Sequence, residues 1–462
     1  MTRRLFGTNG IRGVVNEDLT PEMILRASQS IGVFFDGGRI LAGRDGRTSG
    51  EMISMIVKSA LLSAGCSVCD VGLAPTPCIQ YTVRFGHYDG AVVVTASHNP
   101  PRYNGLKVVG RDGIEISRDE EEQIERVFFE GRWTPKVQSQ LGSMKSVGDI
   151  LTPYQSAIEG RVDTEVIRRS GLKLVVDPGN GVGALITPRL LSAVGCDVQT
   201  INAAIDGTFP GRPPEPTPEN LQGLSKTVKL TGADLGIAHD GDADRAIFVA
   251  ENGEVEWGDR TFALVEKHFL MSNPGETIVT PVSSSQLVRD IAEEQGGRVE
   301  WTRVGSINVS RRMEEIGSKL GGEENGGIFY GPHIPVRDGA MAAAMIVELL
   351  AKTGRKLSEL LGELPHYHII KTKIGCPENR KDHVLAEVTK VISGRTVETI
   401  DGVKIWRDRR SWILIRPSGT EPIFRIFVEA PSRDEANSLL GEYVTVLRDL
   451  IDEGVYDGKP AR

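Results

Sequence analysis

The chain has 462 residues and a formal net charge of −8, from 54 Lys and Arg against 62 Asp and Glu. At roughly 100–200 residues per domain, this length predicts about three domains, with two or four as alternatives. An acidic chain without a long basic run argues against nucleic acid or an anionic membrane as the main partner. No apolar stretch approaches the ~20 residues that span a bilayer, and MTRRLFGTNGIRG at the N-terminus lacks the apolar core of a signal peptide. The five cysteines are too few and odd in number for a disulfide framework, so we expect a reducing, cytoplasmic location.

Three segments share one pattern: an apolar run, a polar turn, an amphipathic stretch, small residues and a second apolar run. They begin at Arg39, Leu172 and Glu276. Short β-branched runs such as Leu174–Val176 and Ile278–Thr280 predict buried strands, and the amphipathic stretches predict helices that stop at glycine. Each segment is therefore a predicted βαβ unit, and the chain is predicted to hold three related α/β domains with mixed sheets.

The last quarter of the chain differs from these segments. KIWRDRRSWILIRPSGTEPIFRIFVEA predicts short alternating strands, and a helix is expected from about Arg433 to Ile451. We therefore predict a smaller α+β domain at the C-terminus, with domain spans of 1–149, 150–252, 253–365 and 366–462. The stretch Phe209–Pro218 holds five prolines, which remove donors and fix φ, so it cannot be regular structure. We interpret it as a stiff surface loop, with the shaping of a cleft as the alternative.

The run DGDADR places Asp240, Asp242 and Asp244 directly after the apolar segment LGIAH. Carboxylates this close repel one another unless a cation neutralises them, and hard oxygen ligands suit Mg²⁺. An exposed acidic turn without a metal is the alternative. An EF-hand is excluded, because the glycine position and the distal Glu of that loop are missing.

The run VVVTASHNPPRYNGLK presents Ser97 in a polar loop after a predicted strand. A serine at a strand end is well placed for nucleophilic or phosphoryl chemistry, although the loop could equally satisfy its own backbone. There is no G-x-S-x-G sequence, which disfavours acyl transfer.

Two further runs could bind substrate. RPSGTEPIFR can offer an oxyanion the hydroxyls of Ser418 and Thr420, the backbone of Gly419, and the guanidinium groups of Arg416 and Arg425. The alternative is a turn between strands with surface arginines.

The second of these runs is GGEENGG, from Gly321 to Gly327. Its Glu323, Glu324 and Asn325 could hydrogen-bond the hydroxyls of a sugar. Taken alone, this segment is better interpreted as a flexible acidic loop.

The motifs TASHNP, DGDADR, GEENGG and RPSGTEP follow one another in this order, one to each predicted domain, and this ordered set resembles the α-D-phosphohexomutase family. FGTNGIRG and GRDGRTSG near the N-terminus are also similar to that family. The branch with GEENGG, which includes archaeal-type phosphoglucosamine mutases and phosphomannomutase/phosphoglucomutases, is the most similar. The resemblance implies four domains around a central cleft.

By this resemblance, Ser97 carries the transferable phosphoryl group and binds Mg²⁺ together with Asp240, Asp242 and Asp244. The resemblance also implies that sugar hydroxyls are held by Glu323 and Asn325. The phosphate that is not reacting would be bound by Arg416, Ser418, Gly419, Thr420 and Arg425. The reacting end would be lined by Arg12, Lys107 and Arg245. Phosphoserine would donate to a hexose monophosphate, and the resulting 1,6-bisphosphate would turn round and return its other phosphoryl group.

Two departures from the family leave the general acid/base open: Asn325-Gly326-Gly327 lacks a histidine found in some relatives, and Ser306 replaces a histidine or aspartate. Lys107 is the candidate, and its pKa would have to fall from ~10.4.

The sequence therefore predicts a cytoplasmic, Mg²⁺-dependent phosphohexomutase, monomeric or homodimeric, with a hexose 1,6-bisphosphate as activator. Glucosamine phosphate is the favoured substrate, and a bifunctional phosphomannomutase/phosphoglucomutase is the alternative. A metal-dependent sugar phosphatase and a non-catalytic sugar-phosphate binding protein are the two further alternatives.

Overall fold

Four β-sheets follow one another along the chain in the computed structural model, which describes residues 4–7, 9–391, 396–418 and 421–452. The first sheet and its helices comprise β1 (Ile11–Val14), α1 (Pro21–Phe35), β2 (Arg39–Arg44), α2 (Gly50–Ser63), β3 (Ser67–Leu73), α3 (Thr76–Phe85), β4 (Gly90–Val94), β5 (Tyr103–Val109), α4 (Arg118–Glu130) and β6 (Met144–Ser146). The second comprises α5 (Leu151–Glu159), α6 (Thr164–Ser170), β7 (Lys173–Asp177), α7 (Thr187–Ala193), β8 (Asp197–Thr200), α8 (Gln222–Thr231), β9 (Leu235–His239), β10 (Ala246–Ala250) and β11 (Val255–Glu256).

The third sheet and its helices comprise α9 (Gly258–Ser272), β12 (Thr277–Pro281), α10 (Gln286–Glu294), β13 (Arg298–Thr302), α11 (Ser306–Ile316), β14 (Leu320–Gly322), β15 (Ile328–Tyr330), β16 (Ile334–Arg337), α12 (Gly339–Thr353) and α13 (Leu357–Gly362). The fourth comprises β17 (His368–Gly375), α14 (Lys381–Val391), β18 (Thr396–Glu398), β19 (Val403–Asp408), β20 (Ser411–Pro417), β21 (Ile423–Ala430) and α15 (Arg433–Asp452).

The first three sheets share one topology. Their strand orders are β3-β2-β4-β5-β1, β8-β7-β9-β10-β11 and β13-β12-β14-β15-β16, with β6 added outside β3 in the first. In each, the first three strands of this order are parallel and the fourth and fifth are antiparallel to their neighbours. The prediction of three related α/β domains with mixed sheets is therefore confirmed.

Local sequence explains these elements. Strands β4 (GAVVV) and β9 (LGIAH) are buried at every position, as expected for central strands covered on both faces. Helix α4 begins at a capping box in which Ser117 and Glu120 exchange hydrogen bonds, and it ends at Gly131 in the left-handed conformation.

The fourth sheet is antiparallel, in the order β17-β21-β20-β19-β18. Helices α14 and α15 pack on one face through an apolar core that includes Ile415, Phe424 and Ile426. This arrangement confirms the smaller C-terminal α+β domain.

The second sheet extends past residue 252, because β11 pairs with β10 after the turn at Asn252–Gly253. The predicted domain boundaries, this one included, stay predictions.

The proline-rich stretch Phe209–Pro218 contains neither helix nor strand, as predicted. It is not simply a surface loop, however, since Phe209 and Arg212 are buried. Across the described residues, no helix combines the length and the apolar character needed to cross a membrane.

Candidate active site

Equivalent loops of the first three sheets meet at one place. Each connects the third parallel strand to the antiparallel fourth strand: residues 95–102 join β4 to β5, residues 240–245 join β9 to β10, and residues 323–327 join β14 to β15. These loops carry the motifs TASHNPPR, DGDADR and EENGG. The repeated topology therefore brings one chemically distinct loop from each repeat to a shared site.

Ser97 lies at the contact between the first two loops. Its Oγ donates to Asp240 Oδ2 at 2.7 Å, and the side chain is buried. Its φ is 51°, a left-handed conformation that is uncommon for serine. The two loops approach so closely that a Cβ on Gly241 would lie 2.6 Å from the Ser97 carbonyl oxygen.

Asp240, Asp242 and Asp244 form a buried carboxylate cluster, with one oxygen of each within 4.8 Å of the others. Lys107 Nζ donates to Asp242 at 2.9 Å and to Asp244 at 3.0 Å, and Thr76 Oγ1 donates to Asp242 at 2.7 Å. Oδ1 of Asp242 and Oδ1 of Asp244 are buried and have no hydrogen-bond partner within the described part of the chain. Three clustered carboxylates with two unpaired oxygens offer the hard oxygen ligands that a divalent cation such as Mg²⁺ prefers.

The protonation of these groups follows from burial and charge. Burial raises the pKa of Asp240 to about 7, with Arg245 opposing the shift and the other two aspartates adding to it. Burial would also raise the pKa of Asp242, but Lys107, the hydrogen bond from Thr76 and the charge of Arg337 together outweigh burial and hold that pKa below its usual range.

Lys107 does not have the lowered pKa that a general base requires. Burial alone would lower its pKa, but Asp242, Asp244 and Glu115 outweigh burial and hold the pKa above its ordinary value. In this arrangement Lys107 is a protonated counterion of the carboxylate cluster, and its role as general acid/base stays a prediction.

Arginines surround the same cluster. Arg245 Nε donates to Asp240 at 3.1 Å. Arg12 Nη1 donates to Asn99 Oδ1 at 2.8 Å, and the buried Nη2 of Arg12 has no hydrogen-bond partner in the described ranges. Burial together with Arg245 and Arg12 holds the pKa of His98 well below its ordinary value, so its ring is neutral.

Glu323 is brought to the carboxylate cluster by a residue that the sequence did not indicate. Arg337, at the end of β16, donates to Asp244 at 2.7 Å and to Glu323 at 3.3 Å. Burial raises the pKa of Glu323 to about 7 against the attraction of Arg337. Asn325 is half-buried, and its Oδ1 accepts the Gly327 N–H within the loop.

The fourth sheet carries a second group of the predicted residues. Arg416 and Arg425 are direct neighbours across β20 and β21, and Lys373 is opposite Arg425 across β17 and β21. Like charges directly opposite one another destabilise a sheet, so a bound anion would stabilise this row of three cations.

Acidic groups and a buried lysine support this row. Arg416 pairs with Asp401 at 2.6 Å and Arg425 with Glu421 at 3.2 Å. The buried Lys381 donates to the carbonyls of Ser418 and Glu421 and so holds the loop. The predicted ligands Gly419 and Thr420 lie outside the described residues.

Four sheets in this arrangement, with three converging loops of different chemistry, define an enzyme of the phosphohexomutase class. Four sequence-family models of phosphoglucomutase/phosphomannomutase match successive parts of this chain. The model of alpha/beta/alpha domain I matches residues 3–134, that of domain II residues 152–253, that of domain III residues 257–367, and that of the C-terminal domain residues 372–445. The chain belongs to the phosphoglucomutase/phosphomannomutase family.

Individual relatives cover nearly the whole chain. A phosphoglucosamine/phosphogalactosamine mutase of Sulfurisphaera tokodaii is 45% identical over 95% of this chain and 98% of its own length. A phosphoglucomutase/phosphomannomutase of Thermococcus kodakarensis is 44% identical over 97% and 99%. The crystal structure of a phosphoglucomutase/phosphomannomutase family protein of Burkholderia thailandensis matches with a TM-score of 0.86 and 30% identity, covering 96% of this chain and 97% of that one.

Proposed function

We propose that this enzyme interconverts hexose 6-phosphate and hexose 1-phosphate through phosphorylated Ser97 and a hexose 1,6-bisphosphate, with glucosamine phosphate as its preferred substrate. The observation that carries the proposal is the 2.7 Å contact between Ser97 Oγ and Asp240, within a cluster of three buried carboxylates. A hydroxyl in this place can carry a phosphoryl group, whereas simple sugar binding would need neither the hydroxyl nor the cluster.

Asp240, Asp242 and Asp244, with Ser97, would hold Mg²⁺, which when bound offsets the negative charge of the transferring phosphoryl group. In the transfer, a sugar hydroxyl oxygen forms the new P–O bond while the bond from phosphorus to Ser97 Oγ breaks. Arg12 and Arg245 are placed to orient the phosphoryl oxygens. The proton of the sugar hydroxyl must pass to a base, and Lys107 would fill this role only after losing the proton that Asp242, Asp244 and Glu115 hold on it here.

The row of Arg416, Arg425 and Lys373 would bind the phosphate at the far end of the sugar. Charge-assisted contacts to a phosphate do not depend on whether it is attached at carbon 1 or carbon 6. This property allows the bisphosphate to bind in both orientations, and Glu323 and Asn325 would then hold the sugar hydroxyls between the two ends.

The choice of sugar is tested by a substrate panel. Similarity to one amino-sugar phosphate mutase and to one phosphoglucomutase/phosphomannomutase supports both glucosamine and the neutral hexoses as candidates. We expect purified enzyme, activated with hexose 1,6-bisphosphate, to turn over glucosamine 6-phosphate more efficiently than mannose 1-phosphate or glucose 1-phosphate. Efficient turnover of the neutral hexoses without the amino sugar would reject the preference and favour the bifunctional alternative.

The same assay separates a mutase from a phosphatase. A mutase converts one monophosphate into the other without net loss of phosphate, whereas release of inorganic phosphate without isomerisation would contradict the proposal.

A cytoplasmic location is part of the proposal, since all five cysteines are unpaired, buried thiols.

A further inference from the structure

We propose that two buried arginines, Arg47 and Arg212, are positioning residues for separate halves of the site: Arg47 fixes the loop of Ser97, and Arg212 fixes the strand end that presents Asp240. The inference rests on the proposed phosphoserine chemistry and assigns a role to two residues that contact neither the carboxylate cluster nor the fourth-sheet cations.

Arg47 binds the whole Ser97 loop through one guanidinium group. Nη2 donates to the carbonyl oxygens of Ser97 at 2.8 Å and Asn99 at 2.6 Å, and Nη1 donates to those of Pro100 at 2.8 Å and Tyr103 at 2.9 Å. The side chain is completely buried. A planar fork of donors can bind four carbonyls at once, whereas a lysine ammonium has only three donors and no fixed plane.

Asp45 connects Arg47 to the backbone N–H of Ser97. Arg47 Nε donates to Asp45 Oδ2 at 3.1 Å, and Thr95 Oγ1 donates to the same oxygen at 2.6 Å. The Thr95 hydroxyl in turn accepts from Ser97 N at 2.8 Å. Both the N–H and the C=O of Ser97 are therefore fixed from one buried ion pair, which accounts for how its left-handed φ is maintained.

Arg212 makes the corresponding contacts in the second repeat. Nε pairs with Asp177 Oδ2 at 2.9 Å, and Nη2 donates to the carbonyls of Asp177 at 3.0 Å and His239 at 2.7 Å. Asp45 follows β2 and Asp177 ends β7, and these two strands hold the same place in their sheets. His239 immediately precedes Asp240, so Arg212 acts on the carboxylate cluster rather than on Ser97.

The proline-rich loop joins the two arginines. Arg212 belongs to this loop, and the ring of Phe209 in the same loop lies 5.2 Å from Arg47 Cζ. Thus the irregular stretch Phe209–Pro218 contacts the residue that fixes the Ser97 loop and contributes the residue that fixes the strand end before Asp240.

The test compares Arg47→Lys with Arg212→Lys. For Arg47→Lys we expect the rate at which hexose 1,6-bisphosphate phosphorylates Ser97 to fall on the order of 100-fold. We expect kcat to fall by a similar factor, with KM changed by less than about 3-fold. Its Mg²⁺ affinity, measured by calorimetry, should fall less than that of Arg212→Lys, because only Ser97 among the four proposed ligands is displaced. For Arg212→Lys we expect Mg²⁺ affinity to fall about 10–100-fold, with a smaller loss of phosphorylation rate at saturating Mg²⁺.

If the wild-type enzyme forms no phosphoserine, the proposed function is refuted. If the wild type and Arg47→Lys form phosphoserine equally fast, only the present inference is refuted. Equal losses of Mg²⁺ affinity and phosphorylation in both variants would also overturn it, because they would indicate general damage. If thermal unfolding shows that Arg47→Lys does not fold, Thr95→Val replaces it. That variant keeps Arg47 but removes the hydroxyl bound to Ser97 N. It should show the same slow phosphorylation, with a smaller loss of Mg²⁺ affinity than Arg212→Lys. Wild-type phosphorylation in a folded Thr95→Val would then overturn the inference.

Discussion

The backbone conformation of Ser97 determines where its hydroxyl points. A non-glycine residue in the left-handed region costs on the order of 1–3 kcal/mol and persists only where its surroundings fix it. At Ser97 these surroundings are the hydrogen bonds to its N–H and C=O and the closely packed backbone of Gly241. The position of the Ser97 hydroxyl, the proposed phosphoryl carrier, is therefore set by backbone contacts as much as by side chains.

Gly241→Ala tests this close packing. The added Cβ would lie 2.6 Å from the Ser97 carbonyl oxygen, so one of the two loops must shift. We expect a folded protein whose kcat is reduced about 10–100-fold, because displacements of about 1 Å have effects of this size. Gly223→Ala in α8 is the matched control, since its Cβ would meet nothing within 4 Å, and its steady-state kinetics should equal those of the wild type. A Gly241→Ala enzyme with wild-type kcat would contradict the account of the loop contact.

At the scale of single helices and strands, two elements hold ionisable side chains in unfavourable surroundings. Strand β17 contributes Lys373 to the cationic row, and helix α9 contains Glu266, whose two carboxyl oxygens are buried and have no partner among the described residues. The first arrangement is expected at a phosphate site, whereas the second imposes a pH-dependent cost on folding.

Lys373→Ala tests the cationic row. In the proposed site this row binds the distal phosphate equally in the substrate complex and in the transition state. We therefore expect KM for hexose phosphates to rise about 3–10-fold with kcat little changed. The salt dependence of KM should also become weaker. Lys390→Ala, on α14 of the same domain, is the matched control and should leave KM unaltered. An unchanged KM in Lys373→Ala would exclude this lysine from the phosphate site.

Glu266→Gln tests the buried carboxyl group of α9. Burial raises the pKa of Glu266 well above its ordinary value, so its proton stays bound in the fold but is lost from the unfolded chain above a pKa of about 4.3. The wild type therefore loses stability as pH rises above that value, by about 1.4 kcal/mol per pH unit until the folded pKa is reached. The difference in unfolding free energy between variant and wild type should grow between pH 5 and 7, and parallel stability curves would contradict it.

Apolar runs, glycine stops and polar turns were sufficient to predict the three α/β repeats, because βαβ units are built from local patterns. The meeting of Ser97 with Asp240 could be inferred only through the family resemblance, since it depends on long-range packing of two sheets. Arg337 and Lys373 were missed because each is a single residue whose meaning comes from its cross-domain or cross-strand neighbours. The pKa of Lys107 shifts opposite to the expected direction because carboxylates from another repeat surround it.

At the scale of the whole molecule, the first three repeats are joined through buried polar contacts. Thr76 of the first repeat donates to Asp242 of the second, and Tyr154 donates to Asp338, which caps α12, at 2.7 Å. The fourth domain meets the third through a tryptophan-lined face, where the buried Lys404 donates to the Val282 carbonyl at 2.9 Å. The Ser97 site and the cationic row thus belong to separate domains, and the proposed bisphosphate would have to reach both.

The most direct measurement follows the phosphoryl group on Ser97. Enzyme is treated with hexose 1,6-bisphosphate and Mg²⁺, freed of small molecules, and examined by peptide mass spectrometry before and after addition of a hexose monophosphate. We predict a phosphoryl group on Ser97 that the monophosphate removes as bisphosphate, and no such cycle in folded Ser97→Ala, which should be inactive. A phosphoryl group on another residue, or a Ser97→Ala enzyme that still isomerises hexose phosphates, would contradict the account.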